Sequence, residues 1–303
     1  MQEVLRLQEP FRAVFYAPFY AALARDAFAR QGLAIELTTV GDAGQAAANL
    51  VAGTADLAWG GPMRVIRSHA QGDDRFACFG AVVMRDPFLL LGRGPAPARF
   101  SLRDLAQLRL GVVSEVPTPW WCLQDDLRRL GLDPAALPLV TGRSMAQNAA
   151  ALLAGEIDLM QTFEPFAATL EGQGVTVWHA QAARGPTSYT SFYATCAALV
   201  GRREAFRGVV RAMEETLAWV AVTPSEQIAA LVGPGFFPDL EQALLATGIA
   251  RYQRLGIWPD QPRFTQPAFD RLQGAMLGAG VITRAPAFAA CVDAAIEAEA
   301  LAG

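Results

Sequence analysis

Two glutamates, Glu115 and Glu164, each close an apolar run beside a proline, in Glu115-Val116-Pro117 and Glu164-Pro165. A carboxylate so placed accepts hydrogen bonds from an amine, an amidine-like heterocycle or a hydroxyl, or else pairs with an arginine such as Arg85 or Arg184. Aromatic residues gather around the same kind of segment: Tyr16, Phe19, Trp59, Trp120, Trp121, Phe163 and Tyr189. Flat molecules stack on such rings, although the surroundings of Phe19 and Trp121 read as core packing. Gly41, Gly44, Gly60 and Gly61 allow close backbone approach. This is the chemistry of holding a small molecule rather than transforming it.

The chain carries few tools for catalysis. All 25 basic residues are arginine, which excludes a lysine Schiff base and a phosphate loop ending in Gly-Lys-Ser/Thr. The two histidines, His69 and His179, lie in no HExxH or Cys/His cluster, and Cys78, Cys122, Cys196 and Cys291 fit no zinc spacing. The cysteines read as buried free thiols. No Ser/His/Asp order or paired-carboxylate spacing recommends a catalytic site. No metal and no cofactor is expected, and no residue is assigned a catalytic role.

Elements must bring these residues together, and a repeat shows how. Ala48-Asn49-Leu50-Val51-Ala52-Gly53-Thr54-Ala55-Asp56-Leu57 recurs as Ala150-Ala151-Leu152-Leu153-Ala154-Gly155-Glu156-Ile157-Asp158-Leu159, identical at six of ten positions. In each copy a helix ends at a glycine, Gly53 or Gly155, suited to a left-handed residue, and a short apolar strand follows Asp56 or Asp158. Each strand breaks at a proline, in Trp59-Gly60-Gly61-Pro62 and Phe163-Glu164-Pro165. Helix, turn, strand and loop form the repeating piece of an open α/β sheet, and such sheets place ligands beyond the carboxyl ends of their strands. Two copies predict two sheets facing each other across a cleft.

Composition agrees with that plan. With 303 residues, 52% of them apolar, the chain can bury two ordinary cores. A net charge of −4 without a basic stripe argues against nucleic acid, and no stretch is long and apolar enough for an integral membrane span. The first ten residues alternate like a strand rather than forming a signal-peptide h-region, so the reading is a cytoplasmic protein or a processed form restarted with methionine.

Val4–Leu7 and Ile35–Val40 read as strands. Between them Pro18 starts a helix that Gly32 ends, and Asp42 serves as N-cap of the next helix. Residues 75–92 read as two strands turning at Arg85-Asp86-Pro87, and the Gly/Pro/Ala segment 92–99 as a crossover into a second domain. Residues 184–189 read as the return. A strand over 192–200 and helices over 202–222, 226–232, 239–248, 266–278 and 285–302 complete the chain, the helical tail packing on the first domain. The boundaries are therefore 1–93 with 188–303 for lobe I and 94–187 for lobe II.

This pattern resembles the two-lobed solute-binding proteins of ABC importers, in the branch containing sulfonate-, nitrate- and thiamine-pyrimidine-binding proteins and the fungal thiamine-pyrimidine synthase. The matching segments are Tyr16–Tyr20, Phe28–Glu36, Leu50–Gly61 and Asp104–Val113, and the resemblance covers residues 4–220. It implies a type II periplasmic-binding-protein-like fold of class α/β, each lobe a mixed sheet flanked by helices, with a ligand held between lobes. Its cleft walls map onto Tyr16, Pro18 and Phe19; Gly41, Asp42, Gly44 and Gln45; Trp59, Gly60, Gly61 and Pro62; Glu115, Pro117, Thr118 and Trp120; and Phe163, Glu164 and Tyr189. Two of these loops end at helix N-termini, which favour an anionic or strongly accepting group.

The resemblance implies a monomeric binding protein, not an enzyme, that delivers a small organic ligand to an ABC permease and is periplasmic if that role holds. No cation stands among the mapped residues, so a neutral or amine-bearing, partly aromatic, pyrimidine-like ligand is favoured over a sulfonate. The alternative is a cytoplasmic enzyme or sensor on the same scaffold. A synthase of this branch uses lysine-bound pyridoxal phosphate and a cysteine-rich motif, and this chain has neither.

Overall fold

The computed structural model describes residues 2–41 and 43–302. Its strands are β1 (Glu3–Glu9), β2 (Leu33–Thr39), β3 (Leu57–Gly60), β4 (Phe76–Val83), β5 (Leu89–Arg93), β6 (Leu110–Gly111), β7 (Leu139–Val140), β8 (Leu159–Thr162), β9 (Val175–Ala180) and β10 (Thr190–Thr195). They form two five-stranded sheets of matching order, β2-β1-β3-β10-β4 and β7-β6-β8-β5-β9. Four strands in each run in one direction, and the fifth, β10 or β5, lies antiparallel to both its neighbours.

The first sheet carries α1 (Ala17–Ala24), α2 (Ala27–Arg30), α3 (Ala43–Ala52) and α4 (Met63–Ala70); the second carries α5 (Thr118–Arg129), α6 (Met145–Ala154) and α7 (Phe166–Glu171). The single helix read from Pro18 to Gly32 is two, because Asp26 adopts a left-handed conformation (φ 56°) between α1 and α2. Both repeat glycines end their helices as expected, Gly53 at φ 67° and Gly155 at φ 78°. Gly111 is needed for a different reason. A Cβ there would lie 2.8 Å from Asn148 Oδ1, and Asn148 fastens α6 to the second sheet by donating to the Val112 carbonyl.

The remaining helices are α8 (Cys196–Gly201), α9 (Arg203–Val222), α10 (Ser225–Phe236), α11 (Gln242–Leu255), α12 (Gln266–Gly278), α13 (Phe288–Cys291) and α14 (Ala294–Ala300). The strand read over 192–200 stops at Thr195, whose hydroxyl accepts the Ala198 N–H and caps α8. The helix read over 285–302 is interrupted at Val292, which forms a bridge to Cys78 on β4. As anticipated, the tail packs on the first sheet, through α9 and α14; in addition α11 meets α7 and α12 meets α5. One apolar core spans the first sheet and the tail, while two smaller clusters cover the faces of the second sheet.

The crossover lies earlier than the sequence reading put it. β4 and β5 are not a hairpin: β5 pairs with β8 and β9, so the chain passes between sheets over residues 84–88 rather than after Gly92. The return, over residues 181–189, runs beside it, with Gln181 N–H bonded to the Phe88 carbonyl, Thr187 N–H to Met84 and Tyr189 N–H to Val83. An apolar run is equally at home in a hairpin or in two buried sheets, which is why periodicity missed the switch.

Candidate functional site

A cavity of about 350 Å³ lies between the sheets, at the carboxyl ends of β1, β3 and β6 and against both crossing segments. The first-sheet wall begins with Pro10 and Phe11, which follow β1. Their position is fixed by Glu9, a fully buried carboxylate that accepts from Tyr20 Oη at 2.7 Å and Thr39 Oγ1 at 2.6 Å and pairs with Arg12 at 2.9 Å. Burial still holds the Glu9 carboxyl above its usual range. Phe15 and Tyr16 continue the wall on a 3-10 turn whose Phe15 carbonyl accepts from Trp258 Nε1 at 2.9 Å. Gly41, then Gly61 before α4, Met63 and Arg64 in its first turn and Arg67 in its last complete it.

The second-sheet wall is the β6–α5 segment from Glu115 to Pro119. Glu115 accepts the Met145 N–H at 2.8 Å, capping α6, and the Pro119 carbonyl is held at 3.2 Å by Gln181 Nε2, which also donates to Asp86. Phe88, Tyr189 and Thr190 close the cavity from the crossings.

The first turns of α4 and α5 contain no acidic residue, and both helices start from segments that line the cavity. Arg64 adds a full positive charge. Its Nε is buried without a hydrogen-bond partner, and no carboxylate among the described residues pairs with Arg64 or Arg67. A Cβ on Gly60 would sit 3.5 Å from Arg64 Nε and 3.5 Å from Tyr193 Cε1, so the missing side chain at Gly60 borders the arginine rather than the cavity. Burial pushes the Tyr16 hydroxyl well above its usual range against the opposing pull of Arg64, and raises Tyr193 to about 12 by the same balance. The Tyr189 hydroxyl is likewise buried and unpartnered.

Residues 15–227 match the family described as NMT1/THI5 like. The chain belongs to that family. It is similar to YtlA of Bacillus subtilis (strain 168), by name a candidate binding protein, at 23% identity over 286 residues, covering 92% of this chain and 84% of the relative. Among solved structures it superposes on the periplasmic aliphatic sulphonate binding protein SsuA of Escherichia coli with TM-score 0.74 at 18% identity, over 94% of this chain and 95% of that one. A ligand-binding component of an ABC-type import system from Staphylococcus aureus, solved with zinc bound, gives 0.73 at 15% identity over 100% of both chains. The desulfurization enzyme DSZB gives 0.69 at 16% identity over 99% of both. At these identities the likeness is one of fold, and it is the periplasmic-binding-protein fold.

On this NMT1/THI5-like scaffold the cavity gathers Tyr16, Gly41, Gly61, Glu115, Pro117, Thr118 and Tyr189 from the mapped residues. It does not gather the others. Trp59 is 1% exposed and stacks on Phe19 at 4.5 Å, so both are core of the first sheet, and Pro18 is buried in α1 beside them. Trp120 packs into the core of the second sheet, and Gly44 and Gln45 stand on α3 away from the cavity wall, Gln45 donating to Asn49. Asp42 lies outside the described residues.

Glu164 is the plainest departure. It is fully buried, sits 2.9 Å from Arg251 Nε, and accepts the Ala168 N–H, while its own N–H donates to Tyr252 Oη. Burial raises its carboxyl above the usual range against the pull of Arg251. It ties the second sheet to α11 and is not among the residues that line this cavity. The alternative in which it pairs with an arginine therefore describes it, with Arg251 in place of Arg85 or Arg184; Arg184 instead binds Asp125 and Asp126 on α5.

The family motifs passed over Phe11, Phe15, Met63, Arg64, Arg67 and Phe88. Arg64 had a legible signal: it stands three residues beyond Gly61, in the first turn of the helix that the Gly-Gly-Pro loop opens.

Proposed function

We propose that this protein is a solute-binding component of an ABC importer that captures a small organic anion with an apolar, ring-sized body between its two sheets. The observation that carries the reading is Arg64, a cation with a buried, unpartnered Nε at the wall of the interlobe cavity. Arg64 as a whole is half-buried and lines the cavity with no carboxylate partner among the described residues, and such a guanidinium is matched by a carboxylate, sulfonate or phosphate. Phe11, Phe15, Phe88 and Met63 supply the apolar surface for the rest of the ligand. The anion reading replaces the preference for a neutral ligand, which rested on the lack of a cation among the mapped residues. The aliphatic sulphonate named for the Escherichia coli neighbour belongs to the same chemical class.

Binding is preferred to turnover because, among the described residues, the cavity wall holds no cysteine and no histidine, and its carboxylate, Glu115, caps α6 rather than activating a nucleophile. Closure of the lobes on a ligand that touches both walls supplies the handover state for a permease. The test is a thermal-shift and calorimetric screen of organic sulfonates, carboxylates and phosphates on wild type and Arg64→Gln. Loss of one charge-assisted contact weakens an anion about 10- to 100-fold. Anions that stabilise both proteins equally, or none that stabilise wild type, overturn the reading.

A further inference from the structure

Arg64 is not the only charge at the cavity. Glu115 lines the same space from the second sheet, at the end of the β6 segment, and Arg64 lines it from the first, in the opening turn of α4. The two do not form an ion pair, and among the described residues neither has any ion-pair partner. One Glu115 oxygen caps α6 through the Met145 N–H at 2.8 Å, and the other lies 3.3 Å from Ser114 Oγ. A carboxylate has room for further donors beyond these two, and Glu115 is exposed. A ligand bearing only an anion would satisfy Arg64 and leave its far end facing a carboxylate.

Resting on the anion reading, we propose that the ligand is zwitterionic: a carboxylate or sulfonate met by Arg64 and the α4 N-terminus, and an ammonium met by Glu115, joined by an apolar spacer along Phe11, Phe15 and Phe88. Opposite charges on opposite sheets give such a ligand one orientation, and each lobe contributes one end of the recognition. Closure then completes two charge-assisted contacts at once, so the ligand bridges the lobes electrostatically as well as sterically. Selection works by repulsion too, because an anion of the same length with a second negative end is turned away by Glu115.

The experiment compares four probes at pH 7 by calorimetry: 4-(aminomethyl)benzenesulfonate against 4-methylbenzenesulfonate, and 4-(aminomethyl)benzoate against 4-methylbenzoate. Wild type is expected to bind at least one aminomethyl probe about tenfold or more tightly than its methyl partner. Glu115→Gln, which keeps an oxygen for the α6 cap, brings that ratio toward one, and Arg64→Gln weakens all four. Methyl probes that bind as well as or better than aminomethyl probes to wild type overturn the zwitterion while leaving the anion reading standing. Failure of all four to bind wild type overturns the zwitterion, and the wider anion screen then decides the parent reading by itself. Thermal unfolding of each variant checks folding, and if Glu115→Gln does not fold the wild-type ratios alone decide.

Discussion

Asp158 accepts from both the backbone N–H and the guanidinium of Arg109, at 2.8 Å, 3.0 Å and 2.9 Å, clamping the entry of β8 to that of β6. Asp56 does the same for Arg6, at 2.7 Å, 3.1 Å and 2.9 Å, at the entries of β3 and β1. The repeated aspartate is thus a strand-pairing device, and its partner is the middle of a second short repeat, Leu5-Arg6-Leu7 and Leu108-Arg109-Leu110. The guanidinium holds each aspartate below its usual carboxyl range despite partial burial of Asp56.

Asp56→Ala is expected to cost about 1–2 kcal/mol, mostly for the orphaned Arg6 N–H, since exposed ion pairs add little. Because the folded-state carboxyl is depressed, this contribution is present above the unfolded pKa and fades as pH falls through the folded value. Urea midpoints of wild type and variant should converge toward pH 2; a gap that persists there contradicts the clamp.

Glu164→Gln should reduce stability with little effect on recognition. Breaking a buried pair costs about 3–5 kcal/mol, lowered here because Arg251 keeps Glu171 as a second partner. Adding Arg251→Met should recover part of the loss. A variant of normal stability with weakened ligand binding would return Glu164 to the cavity wall.

Trp59→Ala should cost about 3–5 kcal/mol, as loss of a large core ring does. The Phe19 stack at 4.5 Å and the contacts to Tyr20 at 5.8 Å, Tyr16 at 5.9 Å and Phe192 at 6.5 Å are what it removes. Ligand affinity of the folded fraction, read at a temperature well below the new Tm, should be close to wild type.

Burial raises two carboxyls to about 7: Asp86 between the crossing segments, and Glu297, which accepts the Gly80 and Phe264 N–H groups. Their folded pKa exceeds the unfolded one, so the folded state binds the extra protons. The stabilisation they give is present below about pH 4 and is lost as pH rises to about 7, by up to about 1.4 kcal/mol per pH unit for each group. Glu297→Gln should therefore cost less at pH 8 than at pH 5. An equal cost at both would place the Glu297 titration elsewhere.

The two-sheet plan was legible because it depends on local signals: glycines that end helices, prolines that end strands, and apolar runs between them. The cavity was half legible for a physical reason. Tyr16, Glu115 and Tyr189 line it and Trp59, Trp120 and Glu164 do not, although all six stand next to loops. Whether a loop-side ring or acid turns inward depends on what packs behind it, such as Phe19 behind Trp59 and Arg251 behind Glu164, and those partners come from other elements. Arg64 escaped because a single arginine on a helix reads as solvated surface until the opposite wall is in place.

The place of β10 has a consequence for synthesis. This strand lies between β3 and β4 yet follows β9 in the chain, so the first sheet has a gap at its centre until the second sheet has been made. Because the second sheet is contiguous from β5 to β9, it can close while the N-terminal strands still wait on the ribosome. The part of the protein made first is then the part that finishes folding last, with Trp59 and the apolar face of β4 as the surface a chaperone would meet in the interval.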